Sequence, residues 1–128
     1  MSADLVRRAR EVMQNAYAPY SNFHVGAAIE AADGTIHVGC NVENASYGLT
    51  ICAERMAVGA AVAAGKRSLK RVAVATAVEP PATPCGACRQ LLAEFGLDLE
   101  IVAVGPSSER RWKLRDLLPE AFTRESLS

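Results

Sequence analysis

The chain has 128 residues, half of them apolar and only 5% aromatic, which suits one domain (residues 1–128) with a real core and no room for a second. Fourteen basic and fourteen acidic residues cancel, so no basic field speaks for a nucleic-acid partner. Met1 to Arg10 is charged and has no apolar signal core, and the longest apolar stretch, Met56 to Ala64, is too short to cross a bilayer. These features predict a cytoplasmic protein with no membrane partner, whose four cysteines serve metal binding or catalysis rather than disulfides.

Leu5, Val6, Ala9, Val12, Met13 and Ala16 recur at helical spacing, with Arg7, Arg8, Arg10 and Glu11 on the other side. A first helix is expected from about Ala3 to Asn15, with Ser2 as its N-cap. Pro19 and Ser21-Asn22 end it in a loop. Two β-like runs follow, His24 to Ala31 and Thr35 to Cys40, joined at the hairpin signal Asp33-Gly34. Polar residues 41–50 lead into a second helix, Cys52 to Ala64, whose small side chains allow close packing and which Gly65 stops. Arg71 to Val78 reads as a buried strand. A Pro-rich turn then opens a third helix, Cys85 to Phe95, closed by Gly96. Leu99 to Val104 is another buried strand. The turn Gly105-Pro106-Ser107-Ser108 is too short for a crossover helix, so the strand around Arg110 to Lys113 should run antiparallel to its predecessor. One or two helical turns between Leu114 and Phe122, broken at Pro119, precede a loose tail.

The order α-β-β-α-β-α-β-β predicts an α/β fold, a five-stranded mixed β-sheet with helices on both faces. The second strand, second helix and third strand form a right-handed crossover unit. Helices two and three then begin at the same edge of the sheet. Their N-termini face each other there, one carrying Cys52 and the other Cys85 with Cys88.

Three cysteines are one ligand short of an ordinary structural zinc site and match a catalytic one with a position open for water. Cys85 and Cys88 lie three residues apart at a helix start, so their sulfurs point one way. Helix N-termini favour anions and lower thiol pKa values. Three thiolates on Zn2+ leave a surplus negative charge that weakens the metal as an acid. The helix ends offset part of it. Of the nearby cations Arg55 and Arg89, Arg55 is expected to hydrogen-bond the sulfurs, with Gln90 as a further candidate. Glu54 is read as the proton carrier for the metal's water, ahead of a ligand or a helix-start charge. The competing structural zinc site would need its fourth ligand from Cys40, His24 or His37.

Longer motifs surround these residues. Tyr20-Ser21-Asn22-Phe23-His24-Val25-Gly26-Ala27-Ala28, Asn41-Val42-Glu43-Asn44-Ala45-Ser46-Tyr47, Cys52-Ala53-Glu54-Arg55 and Pro84-Cys85-Gly86-Ala87-Cys88-Arg89-Gln90 resemble cytidine deaminase, in its small homotetrameric form with three cysteines on zinc. The resemblance reaches Leu117-Leu118-Pro119 and Phe122. Several deaminases share the zinc motif; the Asn-Val-Glu-Asn run narrows the match.

The resemblance implies one Zn2+ per subunit on Cys52, Cys85 and Cys88. It places Asn41 and Glu43 on the ribose 3′-hydroxyl, Phe23 against the nucleoside, and the backbone of Ala53 and Thr83 at the base edge. Tyr47 and Phe122 would be supplied to a neighbouring subunit's site. The implied reaction is hydrolytic deamination of cytidine and 2′-deoxycytidine to uridine and 2′-deoxyuridine, a step of pyrimidine salvage. A metal-activated water attacks C4. Glu54 takes its proton, protonates N3 and delivers a proton to the departing ammonia.

Taken singly, several of these residues have plainer readings. Asn41 and Glu43 suit ordinary turns, Phe23 the core, Phe122 a helix anchor and Tyr47 a loop cover. Met56 stands where the family commonly has threonine, and Cys40 is expected to be a buried free thiol. Arg110, Arg111, Lys113 and Arg115 read as a solvated face or a subunit contact. The alternatives in function are a deaminase of another aminopyrimidine nucleoside, of blasticidin type, and a noncatalytic zinc-binding module.

Overall fold

Burial separates the strands into central and edge positions. In the computed structural model, which describes residues 2–127 without the side chain of Ser2, β1 (Val25–Ala31), β3 (Leu69–Thr76) and β4 (Glu100–Val104) are buried along most of their lengths. Continuous burial, rather than alternation, marks strands covered on both faces. β2 (Ile36–Cys40) and β5 (Glu109–Lys113) are more exposed and form the edges of a five-stranded sheet ordered β2-β1-β3-β4-β5. β3 and β4 are parallel, and the other neighbours are antiparallel, including β5 on β4. The mixed sheet and the direction of its last strand agree with the sequence reading.

α1 (Ser2–Met13) covers one face, where Leu5, Val6 and Ala9 pack with Ala28, Ala73, Ala75, Val102 and Val104. α2 (Ala53–Ala63) and α3 (Gly86–Ala93) cover the other, where Ala57, Val58 and Leu92 join Ala27, Ile29, Val72, Val74 and Ile101. A single turn, α4 (Leu114–Leu117), follows β5.

Glycine allows two close contacts between helix and sheet. A Cβ on Gly26 would lie 2.1 Å from the Ala9 carbonyl oxygen, and one on Gly39 would lie 2.4 Å from the Ala57 nitrogen. Both are far inside contact distance, so α1 rests on β1 and α2 on β2 almost backbone to backbone. The second contact sets how deeply the start of α2 is seated.

Because β1 is antiparallel to both β2 and β3, those two strands run in the same direction. The segments leaving them therefore emerge at one end of the sheet, and the helices they feed begin there. The expected juxtaposition of helix N-termini follows from this pairing.

Several boundaries differ from the sequence reading. α1 already includes Ser2, so the helix starts one residue before the expected first turn, and the side chain proposed as its cap lies outside the described residues. It ends at Met13, where the amides of Gln14 and Asn15 turn back to the carbonyls of Glu11 and Val12. β3 stops at Thr76 instead of Val78, since its partner there, Val25, is the first residue of β1. Cys40 is half-buried and not fully buried. As far as Leu127 the tail is folded rather than loose: Arg124–Leu127 form a 3-10 turn, Arg124 pairs with Glu94 at 3.2 Å, and Gln90 donates to the Phe122 carbonyl at 2.7 Å.

Gly39→Ala is expected to destabilise the fold by about 2–3 kcal/mol through overpacking against α2. Gly59→Ala is the control, since Gly59 lies within α2 with open space around it. It should be neutral or add up to about 1 kcal/mol through helix propensity. Urea unfolding of both variants measures the difference.

Candidate metal centre

Cys52 and Cys85 hold equivalent places, each the extended N-cap of its helix, while Cys88 is buried in the first turn of α3. The three sulfurs lie within 4.8 Å of one another. On a tetrahedral zinc with bonds of about 2.3 Å, they would stand about 3.8 Å apart, a separation that a small inward movement reaches. Among the described residues, no histidine and no further cysteine joins the group. His24 meets Asn22 and His37 meets Thr35, so the fourth ligand of a structural site is not supplied.

The donor set resists carrying its charge alone. Burial, reinforced by Glu54 and Cys52, holds the Cys88 thiol well above its ordinary pKa. Burial likewise raises Cys52, with Cys85 and Glu54 adding to the effect. Burial also opposes ionisation of Cys85, but the backbone N–H groups of Cys88 and Ala87 and the Cys88 thiol outweigh it and bring this pKa down. One thiolate is thus favoured by a helix end, while the two sulfurs converging beside it resist ionisation. A divalent cation resolves that arrangement, and the site fits zinc.

Beside the sulfurs opens a cavity of about 190 Å³. Phe23, Val25, Ile51, Val74 and Ala82 line it, as do Glu54, Asn41, Ala53 and Thr83. Glu54 is only 5% exposed, in the first turn of α2 beside the Cys88 thiol. Burial raises its pKa, against the opposing pull of its own backbone N–H and of Cys88. Its carboxylate lies outside the group of three converging ligand atoms.

Asn41 immediately follows β2 and is buried. Its Oδ1 accepts from the Val25 N–H at 2.9 Å, and its Nδ2 donates to the Phe23 carbonyl at 2.8 Å. The side chain therefore fixes the start of β1, and these two bonds leave its second N–H uncommitted. Glu43 stands in an adjoining hollow with Tyr20, Ser21 and Tyr47, joined to the cavity at Thr50. Its carboxylate accepts from the Ser21 hydroxyl and from the amides of Tyr20 and Ser21 at 3.0 and 3.1 Å. The Ser21 hydroxyl leads the effects that lower its pKa.

Tyr47 and Phe122 do not line this chain's cavity. Tyr47 is 77% exposed and meets Tyr20 edge-on, while Phe122 is 60% exposed beside Gln90 and Phe95.

Among the described residues, no hydrogen bond runs from Arg55 or Gln90 to the three sulfurs. α2 turns Ala53, Glu54, Ala57, Val58 and Ala61 inward, which leaves Arg55 on an exposed flank beside Cys40 and Met56. Gln90 is engaged by the Phe122 carbonyl. Arg89 instead organises the metal loop: it donates to the Pro84 carbonyl, the Thr83 hydroxyl and the Leu117 carbonyl at 2.8, 2.9 and 2.8 Å. Its position one residue after Cys88 was visible in the sequence, but those partners were not.

The sequence pattern of the cytidine and deoxycytidylate deaminase zinc-binding region matches residues 2–104. The chain belongs to this deaminase family. A cytidine deaminase from Sporosarcina psychrophila is 45% identical, the match covering 97% of this chain and 93% of that protein. A probable cytidine deaminase from Dictyostelium discoideum is 48% identical over 93% of this chain and 82% of its own length. The crystal structure of cytidine deaminase from Burkholderia pseudomallei superposes with a TM-score of 0.91 at 47% identity, covering 95% of this chain and 99% of that one. The deaminase fold therefore extends over nearly all of the architecture described above, and its zinc-binding region over everything up to the end of β4.

Cys88→Ser is expected to lose most of the bound zinc, because a thiolate ligand from the buried turn of α3 is removed. Atomic emission on the purified variant and the unaltered protein checks this.

Proposed function

We propose that this chain is a zinc-dependent hydrolytic deaminase of cytidine and 2′-deoxycytidine, releasing ammonia in pyrimidine salvage. The observation that carries the reading is the placement of Glu54, buried beside Cys88, in the same cavity as Asn41 and the converging cysteines. Cys52, Cys85 and Cys88 would hold one zinc per subunit, which when bound makes water a competent nucleophile near neutral pH.

Glu54 does the proton work. Its carboxylate takes a proton from the attacking water, gives one to N3 of the base, and serves the departing amino nitrogen. Water and cytidine thus become uridine and ammonia. Asn41 offers its remaining N–H to a sugar hydroxyl, and Glu43 in the adjoining hollow is the second sugar contact. The Ala53 and Thr83 backbone meets the base edge, and Phe23, whose carbonyl Asn41 holds, walls the nucleoside.

The reading extends to a single catalytic domain assembled as a cytoplasmic homotetramer. Exposed Tyr47 and Phe122, each outside its own chain's cavity, support a role for both in a neighbour's site. No helix among the described residues is long and apolar enough to cross a membrane.

Ammonia release should be measured with cytidine, 2′-deoxycytidine, cytidine monophosphate, cytosine and a blasticidin-type nucleoside. Turnover is expected on the first two. Zinc-loaded protein inactive on every nucleoside would instead be a noncatalytic zinc module. Glu54→Gln should keep its zinc and lose at least about a hundredfold in kcat; substantial residual turnover would remove Glu54 from its role.

A further inference from the structure

β3 ends at Thr76, and this residue carries a hydroxyl that the fold leaves unpaired. Thr76 is 3% exposed, and its Oγ1 has no hydrogen-bond partner among the described residues. Buried hydroxyls are paired in the great majority of cases, and an unpaired one is destabilising. The other unpaired buried atoms, on Glu30 and Arg71, have ionic neighbours: these two side chains approach to 3.3 Å, and Arg71 reaches Glu100 at 3.0 Å. Thr76 has no comparable neighbour among the described residues.

Its placement supplies one. Strand alternation puts Thr76 on the same face as Val72 and Val74, which belong to the core beneath α2 and α3. Thr76 lines the cavity along with Val74, Ala82 and Thr83. Across the sheet it pairs with Val25, the residue whose amide is held by Asn41. The hydroxyl and methyl both branch from Cβ, so rotation about χ1 exchanges their directions without moving the strand.

We propose that Thr76 is a ligand-contacting residue of this cavity. Its hydroxyl gains the missing hydrogen bond from a bound pyrimidine nucleoside, directly or through one water that the nucleoside holds. This rests on the nucleoside reading of the cavity given above. It assigns Thr76 to recognition, alongside Asn41, and leaves proton transfer to Glu54. A hydroxyl unpaired in the free chain is then a group kept ready for the ligand, where valine would fill the same space.

The test compares Thr76→Val, which removes the hydroxyl, with Thr76→Ser, which keeps it. Thr76→Val should lower kcat/KM for cytidine about five- to tenfold, chiefly through KM, the scale of one neutral hydrogen bond. Thr76→Ser should remain within about twofold of the unaltered protein. Without nucleoside, Thr76→Val should melt at or above the temperature of the unaltered protein, since no internal bond is lost. Cytidine and uridine should raise the melting temperature of the unaltered protein more than that of Thr76→Val.

Unchanged kcat/KM and unchanged nucleoside-induced shifts in Thr76→Val would overturn the proposal. So would a clear fall in its ligand-free melting temperature, which would reveal an internal partner. Equal impairment of Thr76→Ser would assign the effect to packing and also overturn it. If the unaltered protein binds nucleosides without deaminating them, the functional reading fails while the thermal shifts still decide Thr76. If no nucleoside shifts the unaltered protein, both fall.

Discussion

Two strands that run in the same direction, separated by one that runs against them, determine where this protein can do chemistry. β2 and β3 both discharge their chains at one end of the sheet, and each chain then leads through a connecting segment into the next α-helix. The two helix ends bring partial positive charge and unpaired amides to the same place. Cysteines at both N-caps turn that place into a metal site, and Cys88 adds its sulfur from one turn further along α3. Gly39 belongs to the same constraint, because a side chain there would lift α2 and carry Cys52 away from Cys85.

The cavity is built by side chains that hold backbone as well as face the ligand. Asn41 uses its amide to bind both sides of the Phe23–Val25 segment, so the wall and the polar group proposed to read a sugar are one unit. Arg89 does the corresponding work on the other side, tying Thr83 and Pro84 to the helix that carries Cys88. Rigidity of this kind keeps a small site in register without a large core beneath it.

The order of elements was legible in the sequence because hydrophobic periodicity, the Asp33-Gly34 turn and the short 105–108 connection each permit few topologies. The cysteine cluster was legible for the same reason: once β2 and β3 are parallel, Cys52, Cys85 and Cys88 must approach. Contacts made by long side chains were not. Arg55 and Arg89 look alike as cations close to ligand cysteines, yet one lies on the outer flank of α2 and the other finds the Leu117 carbonyl twenty-eight residues away. Gln90 likewise depends on where the chain returns after β5, which no local pattern encodes. Thr76 could have been placed on the cavity face by alternation with Val74, but its lack of a partner is a property of the packed molecule.

The bonds from Arg89 to Leu117 and from Gln90 to Phe122 set the end of the chain mechanically in series with the metal helix. These two donors directly follow Cys88, so the lever between metal and terminus is a single helical turn. Displacing the terminal segment would load α3 at the turn that presents a metal ligand. The stretch around Leu117 and Phe122, however remote it looks in the linear sequence, is consequently part of the mechanical support of the metal helix.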